Sequence, residues 1–258
     1  MAKKLAFLFL IYDEINHEEL WYNFFKNIDK SKYSIYIYYK YQKPLKYFEE
    51  YKLCNCIPTI HGTISIVHAH NILIKAALQD LDNYKFINVS QACIPFKSFD
   101  YIYDFLTKDN FAHFNVAPQK QCLPRCISVL DNLPHYRIYK SSNWFILNRS
   151  LAELVNTNDK FIDYFKDVRN PEQHFFITMV YDYWRHKEII ATDNLAEGAT
   201  TFTNWQDMNY KYPSQKNLKN YKNISNNELQ YLLDAPCLFG RKFDKGCFRK
   251  EQLKMFRF

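Results

Sequence analysis

The stretch LAFLFLIYDEINHEELWYNFF, Leu5 to Phe25, decides the fold. Its first 8 residues, Leu5 to Tyr12, are apolar, and the run stops at Asp13-Glu14-Ile15-Asn16. A membrane-spanning helix needs about 20 such residues, and a secretory leader shows a small-residue cleavage site that is not visible here. The run therefore reads as a buried β-strand of a soluble protein. HEELWYNFFKNI, which follows, has the apolar spacing of a helix.

Outward from this unit the pattern repeats. YSIYIYY (Tyr33–Tyr39) is a strand of β-branched and aromatic residues, SIVHAHNILIKAALQDL (Ser65–Leu81) is a long amphipathic helix, and KFINVS (Lys85–Ser90) is a third strand. Strands alternating with helices imply a parallel sheet with right-handed crossovers. Ligands of such sheets bind outside the carboxyl ends of the strands. That rule gathers Tyr12 to Glu14, Tyr38 to Lys40 and Ser90 to Pro95 around one crevice.

The second half is less regular. SSNWFILNRSLAELV (Ser141–Val155) is a strand running into a helix, and PEQHFFITMVYDYW (Pro171–Trp184) is a helix with Pro at its first turn. Thr200 to Ile224 is polar and loop-rich. PCLFGRKFD (Pro236–Asp244) is a short apolar strand that ends in two adjacent cations. No repeat, low-complexity tract or linker divides residues 1–258, which form a single domain.

Composition bounds the function. The chain of 258 residues is 48% hydrophobic and 18% aromatic, with 21 Tyr and 22 Phe against only 4 Gly, so it is globular. Enrichment in Lys, Asn, Tyr, Ile and Phe points to an AT-rich genome, which raises aromatic counts without reference to function. The net charge of +7 suits an anionic ligand. Its cations are scattered rather than gathered in a stripe, which argues against nucleic acid. Seven Cys is an odd number, and neither Cys54/Cys56 nor Cys122/Cys126 has common zinc-ligand spacing, so packed reduced thiols are expected. His68 and His70 stand two apart on a helix and face different sides, which argues against a metal pair. There is no G-x-G-x-x-G and no G-x-x-x-x-G-K-[ST], so side chains must hold any phosphate.

Taken in order, AFLFLIYDEINHEELWYNFF, YSIYIYYK, HGTISIVHAHNILIKAAL, FINVSQACIPFKSFDYIYDFL, SSNWFILNRSLAELV, NPEQHFFITMV, TFTNW and CLFGRKFD resemble the core-2/I-branching family of glycosyltransferases. SQACIPFKSF and LFGRKFD in this order are the specific part. The family includes β-1,6-N-acetylglucosaminyltransferases, peptide xylosyltransferases and many plant proteins. The resemblance implies an α/β, GT-A-like nucleotide-sugar-binding fold with a central mostly parallel sheet flanked by helices. It makes residues 1–105 the nucleotide-sugar-binding half and 106–258 the acceptor and catalytic half. It also implies inverting transfer from a UDP-sugar without a metal or other cofactor, the metal's task falling to basic side chains near the C-terminus.

In such a displacement a carboxylate takes the acceptor proton, and cations stabilise the leaving diphosphate. Lys242 falls on the family's basic position, with Arg241 beside it and Lys219 as a further cation; a solvated strand end is the structural alternative. Aligning PEQHFFIT without a gap puts Gln173 on the family's catalytic Glu and Glu172 on the preceding, often acidic, position. Gln cannot accept a proton at neutral pH. Glu172 is therefore the candidate base, through a one-residue slip near a helix start, although one helical step turns a side chain by about 100°. A different base, a binding-only protein, or a Glu172 that merely suits a helix N-terminus are the alternatives.

Tyr12, Tyr38, Ser90 and Gln91 are the candidate donor contacts. Relatives often carry His and Asp where this chain has Tyr38 and Tyr39. Trp205, Asn143 and Trp144 are the candidate acceptor contacts, with core packing as the alternative for Trp205, and Cys93 is a packing residue. The expectation is a metal-independent inverting transferase, cytoplasmic or otherwise soluble, with no membrane span. Its donor is UDP-GlcNAc first, then UDP-xylose or UDP-glucose, and its acceptor is a glycan or glycoprotein. The rivals are an inactive sugar-nucleotide or glycan-binding module and a basic nucleic-acid-binding domain.

Overall fold

A computed structural model describes residues 3–117, 122–157, 159–192, 200–204, 207–208 and 216–258. Strand β1 (Lys4–Ile11) lies between β2 (Tyr33–Tyr39) and β3 (Asn83–Ser90) and pairs in parallel with both. Helix α1 (Glu18–Phe25) connects β1 to β2, and α2 (Ser65–Leu78) connects β2 to β3. After the short β4 (Ile94–Pro95) come α3 (Phe99–Thr107), β5 (Ala112–Asn115), β6 (Ile146–Asn148), α4 (Arg149–Asn156), α5 (Asp159–Asp163), α6 (Phe175–Asp182) and β7 (Ile189–Thr192). Then follow β8 (Thr201–Thr203), β9 (Asp207–Met208), β10 (Lys216–Asn217), α7 (Asn226–Asp234) and β11 (Phe239–Arg241).

The main sheet has the order β2-β1-β3-β6-β5-β7. Only β6 runs against its neighbours β3 and β5, and β5 and β7 are parallel. The mixed α/β architecture with a mostly parallel central sheet is the one the alternating pattern anticipates. A smaller sheet, β4-β11-β8, sits at the carboxyl ends of β1 and β3.

The apolar run of β1 is continuous because both faces of the strand are covered. Leu5, Phe7, Phe9 and Ile11 join Trp21, Phe24, Phe25, Phe99 and Phe239 in one core. Ala6 and Leu8 face Val67, Ala69, Leu73, Ile74 and Ala77 of α2 in the other. Much of the aromatic excess is structural: the Phe7 ring lies 5.0 Å from Phe25, 6.1 Å from Trp21 and 6.3 Å from Phe239. That last contact anchors β11, and with it the two cations, to the first strand.

Three hydrogen bonds tie the same corner together. Asn16 N donates to Gln91 O at 2.9 Å, Asn16 Nδ2 to Phe243 O at 2.8 Å, and Phe243 N to Ala92 O at 3.0 Å. Gly240 is required here because Phe96 lies across it, and a Cβ would stand 1.8 Å from the ring's Cζ. Phe96 is itself buried against Phe243, 6.1 Å away, so the ring has little room to retreat. Gly240→Ala is therefore expected to destabilise the fold by about 1–3 kcal/mol or more, as overpacking does. Thermal unfolding measures it, and an unchanged Tm would show that β11 is not clamped as described.

No helix among the described residues is long and apolar enough to cross a membrane.

Candidate active site

The segment with Glu172 is shaped by two left-handed residues. Asn170 has φ 54° and Gly62 has φ 78°, and Asn170 N donates to Gly62 O at 2.9 Å. Asn and Gly are the residues that tolerate this conformation. The contact pins the loop before α2 against the turn that carries Glu172.

Pro171–Gln173 is a separate 3-10 turn, and α6 begins only at Phe175, whereas the sequence pattern suggested one continuous helix. His174, with φ −118°, makes the break. Successive residues in a 3-10 turn diverge by about a third of a turn. Glu172 accordingly points inward and is 6% exposed, while Gln173 is half-buried and its Oε1 accepts from Arg125 Nη1 at 3.0 Å.

Glu172 Oε1 accepts from Asn143 Nδ2 at 3.2 Å, and its buried Oε2 has no partner among the described residues. Burial raises the pKa of this carboxyl above the ordinary Glu value. Its own backbone N–H, Asn143 and the nearby His61 and Arg125 partly offset the rise. A buried carboxylate with a raised pKa, one oxygen held and the other left without a hydrogen bond, has the chemistry a general base needs.

Asn143 leads to the cations. Ser141 N donates to Gln173 O at 2.8 Å and Ser142 N to Asn115 O at 2.9 Å, so residues 141–143 cross the carboxyl end of β5 on their way into β6. Next in line, Trp144 receives the Arg241 guanidinium 4.1 Å from its ring centroid. Such a contact holds a cation without neutralising it. Burial lowers the Arg241 pKa, Cys93 partly opposing it, and the buried Nε has no partner among the described residues. Two consecutive residues thus serve the two groups: Asn143 holds the Glu172 carboxylate and Trp144 carries the Arg241 cation.

The remaining candidates sort by their surroundings. Lys242 is half-buried, and its side chain has no partner among the described residues; its backbone O accepts from Tyr221 N at 2.8 Å. Lys219 lies 4.6 Å above the Tyr221 ring and pairs with Glu228 at 2.8 Å, so Tyr221 brings the two lysines to one locality. Ser90 is buried, its Oγ 3.2 Å from Cys93 Sγ. Burial pushes the Cys93 thiol up, which suits a packing residue. Gln91 O accepts from Asn16, and its half-buried side chain has no partner among the described residues.

Tyr12 is 49% exposed at the end of β1, edge-on to Tyr41 at 5.0 Å with Lys40 Nζ 5.0 Å from its ring. Tyr38 departs from its sequence placement. It is wholly buried, its hydroxyl donating to Ile57 O and accepting from Ile57 N at 2.8 Å, so it closes a loop onto β2 and offers no surface to a ligand. Trp205 lies outside the described residues. Arg125, His61 and Asn170 are not singled out by the sequence, because Arg125 lies in none of the matching segments and the other two act through backbone shape or proximity.

Comparison with known proteins agrees with the resemblance. The profile of the family described as Core-2/I-Branching enzyme matches residues 5–233. Glycosyltransferase BC10 of Oryza sativa subsp. japonica is 26% identical over 176 residues, which is 63% of this chain but 43% of the rice protein's length. A solved glycosyltransferase involved in the glycosylation of the major capsid of PBCV-1 aligns over 98% of this chain and 100% of its own, with 12% identity and a TM-score of 0.42.

Proposed function

The chain belongs to the core-2/I-branching enzyme family, and on that premise we propose that it is a metal-independent inverting glycosyltransferase. It moves a sugar from a UDP-sugar, UDP-GlcNAc first among them, to a hydroxyl of a glycan acceptor. The observation that supports this reading is the buried Glu172, one oxygen held by Asn143 and the other without a partner among the described residues, with the Arg241 guanidinium stacked on Trp144, the residue next to Asn143.

In the proposed step Glu172 Oε2 takes the proton of the acceptor hydroxyl as its oxygen bonds to the anomeric carbon. The bond from that carbon to the diphosphate oxygen breaks on the opposite face, and UDP departs with its electron pair. Lys242 and Arg241 stabilise the charge that develops on the departing phosphate, with Lys219 in reserve beside Tyr221. Gln91 and Tyr12 line the donor side, and Trp144 the acceptor side.

A second reading has one specific observation in its favour. Gln173 stands at the family's catalytic position and is engaged by Arg125, as in a protein that binds its ligand without turnover. UDP release from a panel of UDP-sugars, with a glycan acceptor and excess EDTA, separates the two. The transferase reading expects one donor to be turned over at a rate within about twofold of that without EDTA. A rate abolished by EDTA and restored by Mg²⁺ would refute metal independence. UDP binding without release from any donor would favour the binding module.

A further inference from the structure

Tyr136, Arg137 and Trp184 form a solvent-facing platform that the proposed chemistry does not use. Tyr136 is 56% exposed and Trp184 70% exposed. The Arg137 guanidinium stands 5.9 Å from one ring centroid and 5.6 Å from the other, and its Nη1 donates to Asp182 Oδ1 at 3.0 Å. One cation, fixed by an ion pair, therefore holds two outward aromatic rings.

Trp184 also sits where the backbone does not favour it. It follows α6 in the left-handed region at φ 58°, where Trp184 N donates to Tyr181 O at 3.1 Å and Arg185 N to Val180 O at 2.8 Å. Glycine is the default residue at this kind of helix end, because it has no Cβ to clash. A tryptophan here is strained and gains no burial, and strain of this sort persists where the side chain has a task.

We propose that this platform binds pyranose rings of the glycan acceptor, as an outer subsite remote from the reacting hydroxyl. The inference rests on the glycosyltransferase reading. A pyranose ring has an apolar C–H face and a polar rim. The open faces of Tyr136 and Trp184 match the former, and Arg137 and His186, whose ring lies 6.5 Å from Trp184, meet the latter. The position fits as well. Helix α6 (Phe175–Asp182) alone rises about 12 Å at 1.5 Å per residue, so the rings stand at least that far from the Glu172 turn, and an oligosaccharide rather than a single sugar is needed to meet both.

The test titrates cellohexaose, xylohexaose and chitohexaose, with the matching monosaccharides, into wild type, Trp184→Ala, Tyr136→Ala and Glu172→Gln. Saturation-transfer NMR reads glycan binding, and calorimetry reads UDP on the same samples. At least one hexasaccharide is expected to bind wild type and Glu172→Gln alike and to lose about tenfold in affinity in Trp184→Ala. Its monosaccharide should bind weakly to all four proteins. UDP affinity and Tm stay unchanged in Trp184→Ala, since the ring is exposed. UDP binding without hexasaccharide binding, or hexasaccharide affinity indifferent to Trp184, overturns the platform and leaves the transferase reading standing. Loss of UDP binding in wild type sinks the transferase reading instead, whatever the glycans do. A dimer that Trp184→Ala converts to monomer on size exclusion would assign the surface to a second copy of the chain and overturn the proposal.

Discussion

Glu172→Gln is expected to lower the rate of sugar transfer by about 10² to 10⁴ while leaving UDP affinity within about twofold, because it removes a base and little else. Gln keeps the shape of Glu and can still accept the Asn143 hydrogen bond, so the geometry survives. The matched control is Gln173→Glu. Its side chain faces Arg125 rather than the crevice, so a carboxylate there should change the wild-type rate little and should not rescue Glu172→Gln. Recovery of activity in the double variant would return the base to position 173 and refute the one-residue slip.

The pH dependence follows from the same geometry. The base must be ionised, and burial raises its pKa, so activity should rise with pH along an acid limb above the ordinary Glu value of 4.5. Asn143 stabilises the ionised form. Asn143→Ala should therefore move the limb to still higher pH, and a limb that moves down would remove Asn143 from its positioning role.

Linkage gives a second readout with the opposite sign. A carboxyl whose folded pKa is raised holds a proton that the unfolded chain has already released. Its contribution to stability is present below the unfolded value and is lost as pH rises through the folded one. At neutral pH Glu172 then costs stability, and Glu172→Gln should raise Tm as it abolishes turnover. Such opposition is common where function needs a strained or buried group.

Much of the fold was legible because its signals are local. An apolar run too short to span a membrane, followed by an amphipathic helix and a second apolar run, reads as a covered strand, and β1 between β2 and β3 is one. The two cations at the end of β11 were equally plain. What was hidden depends on backbone turns and burial that composition does not encode. The break at His174 sets the short turn that carries both Glu172 and Gln173 apart from α6, yet a helix-like apolar spacing runs straight through it. Tyr38 reads as a crevice residue from its place at a strand end, but the Ile57 loop folds over it and takes both capacities of its hydroxyl. Arg125 belongs to no motif and reaches Gln173 across 48 residues of sequence.

Lys242→Ala is expected to reduce kcat by about 10² to 10³, the usual consequence of removing one preorganised group that stabilises developing charge. It should also weaken UDP binding while leaving uridine binding unchanged, since Lys242 would act on the diphosphate alone. Equal loss for both ligands would place the lysine at the nucleoside or make its effect structural. Arg241 should behave differently because it is stacked as well as charged. Its guanidinium rests 4.1 Å from the centre of the Trp144 ring, with burial lowering its pKa. Lysine cannot reproduce a planar stacked cation, so Arg241→Lys should lose most of what Arg241→Ala loses, despite retaining the charge. Trp144→Leu should then reproduce part of the kcat defect without touching a charged group. If instead Arg241→Lys is nearly as active as wild type, charge alone suffices, and the stacking of Arg241 on Trp144 has no catalytic meaning beyond packing.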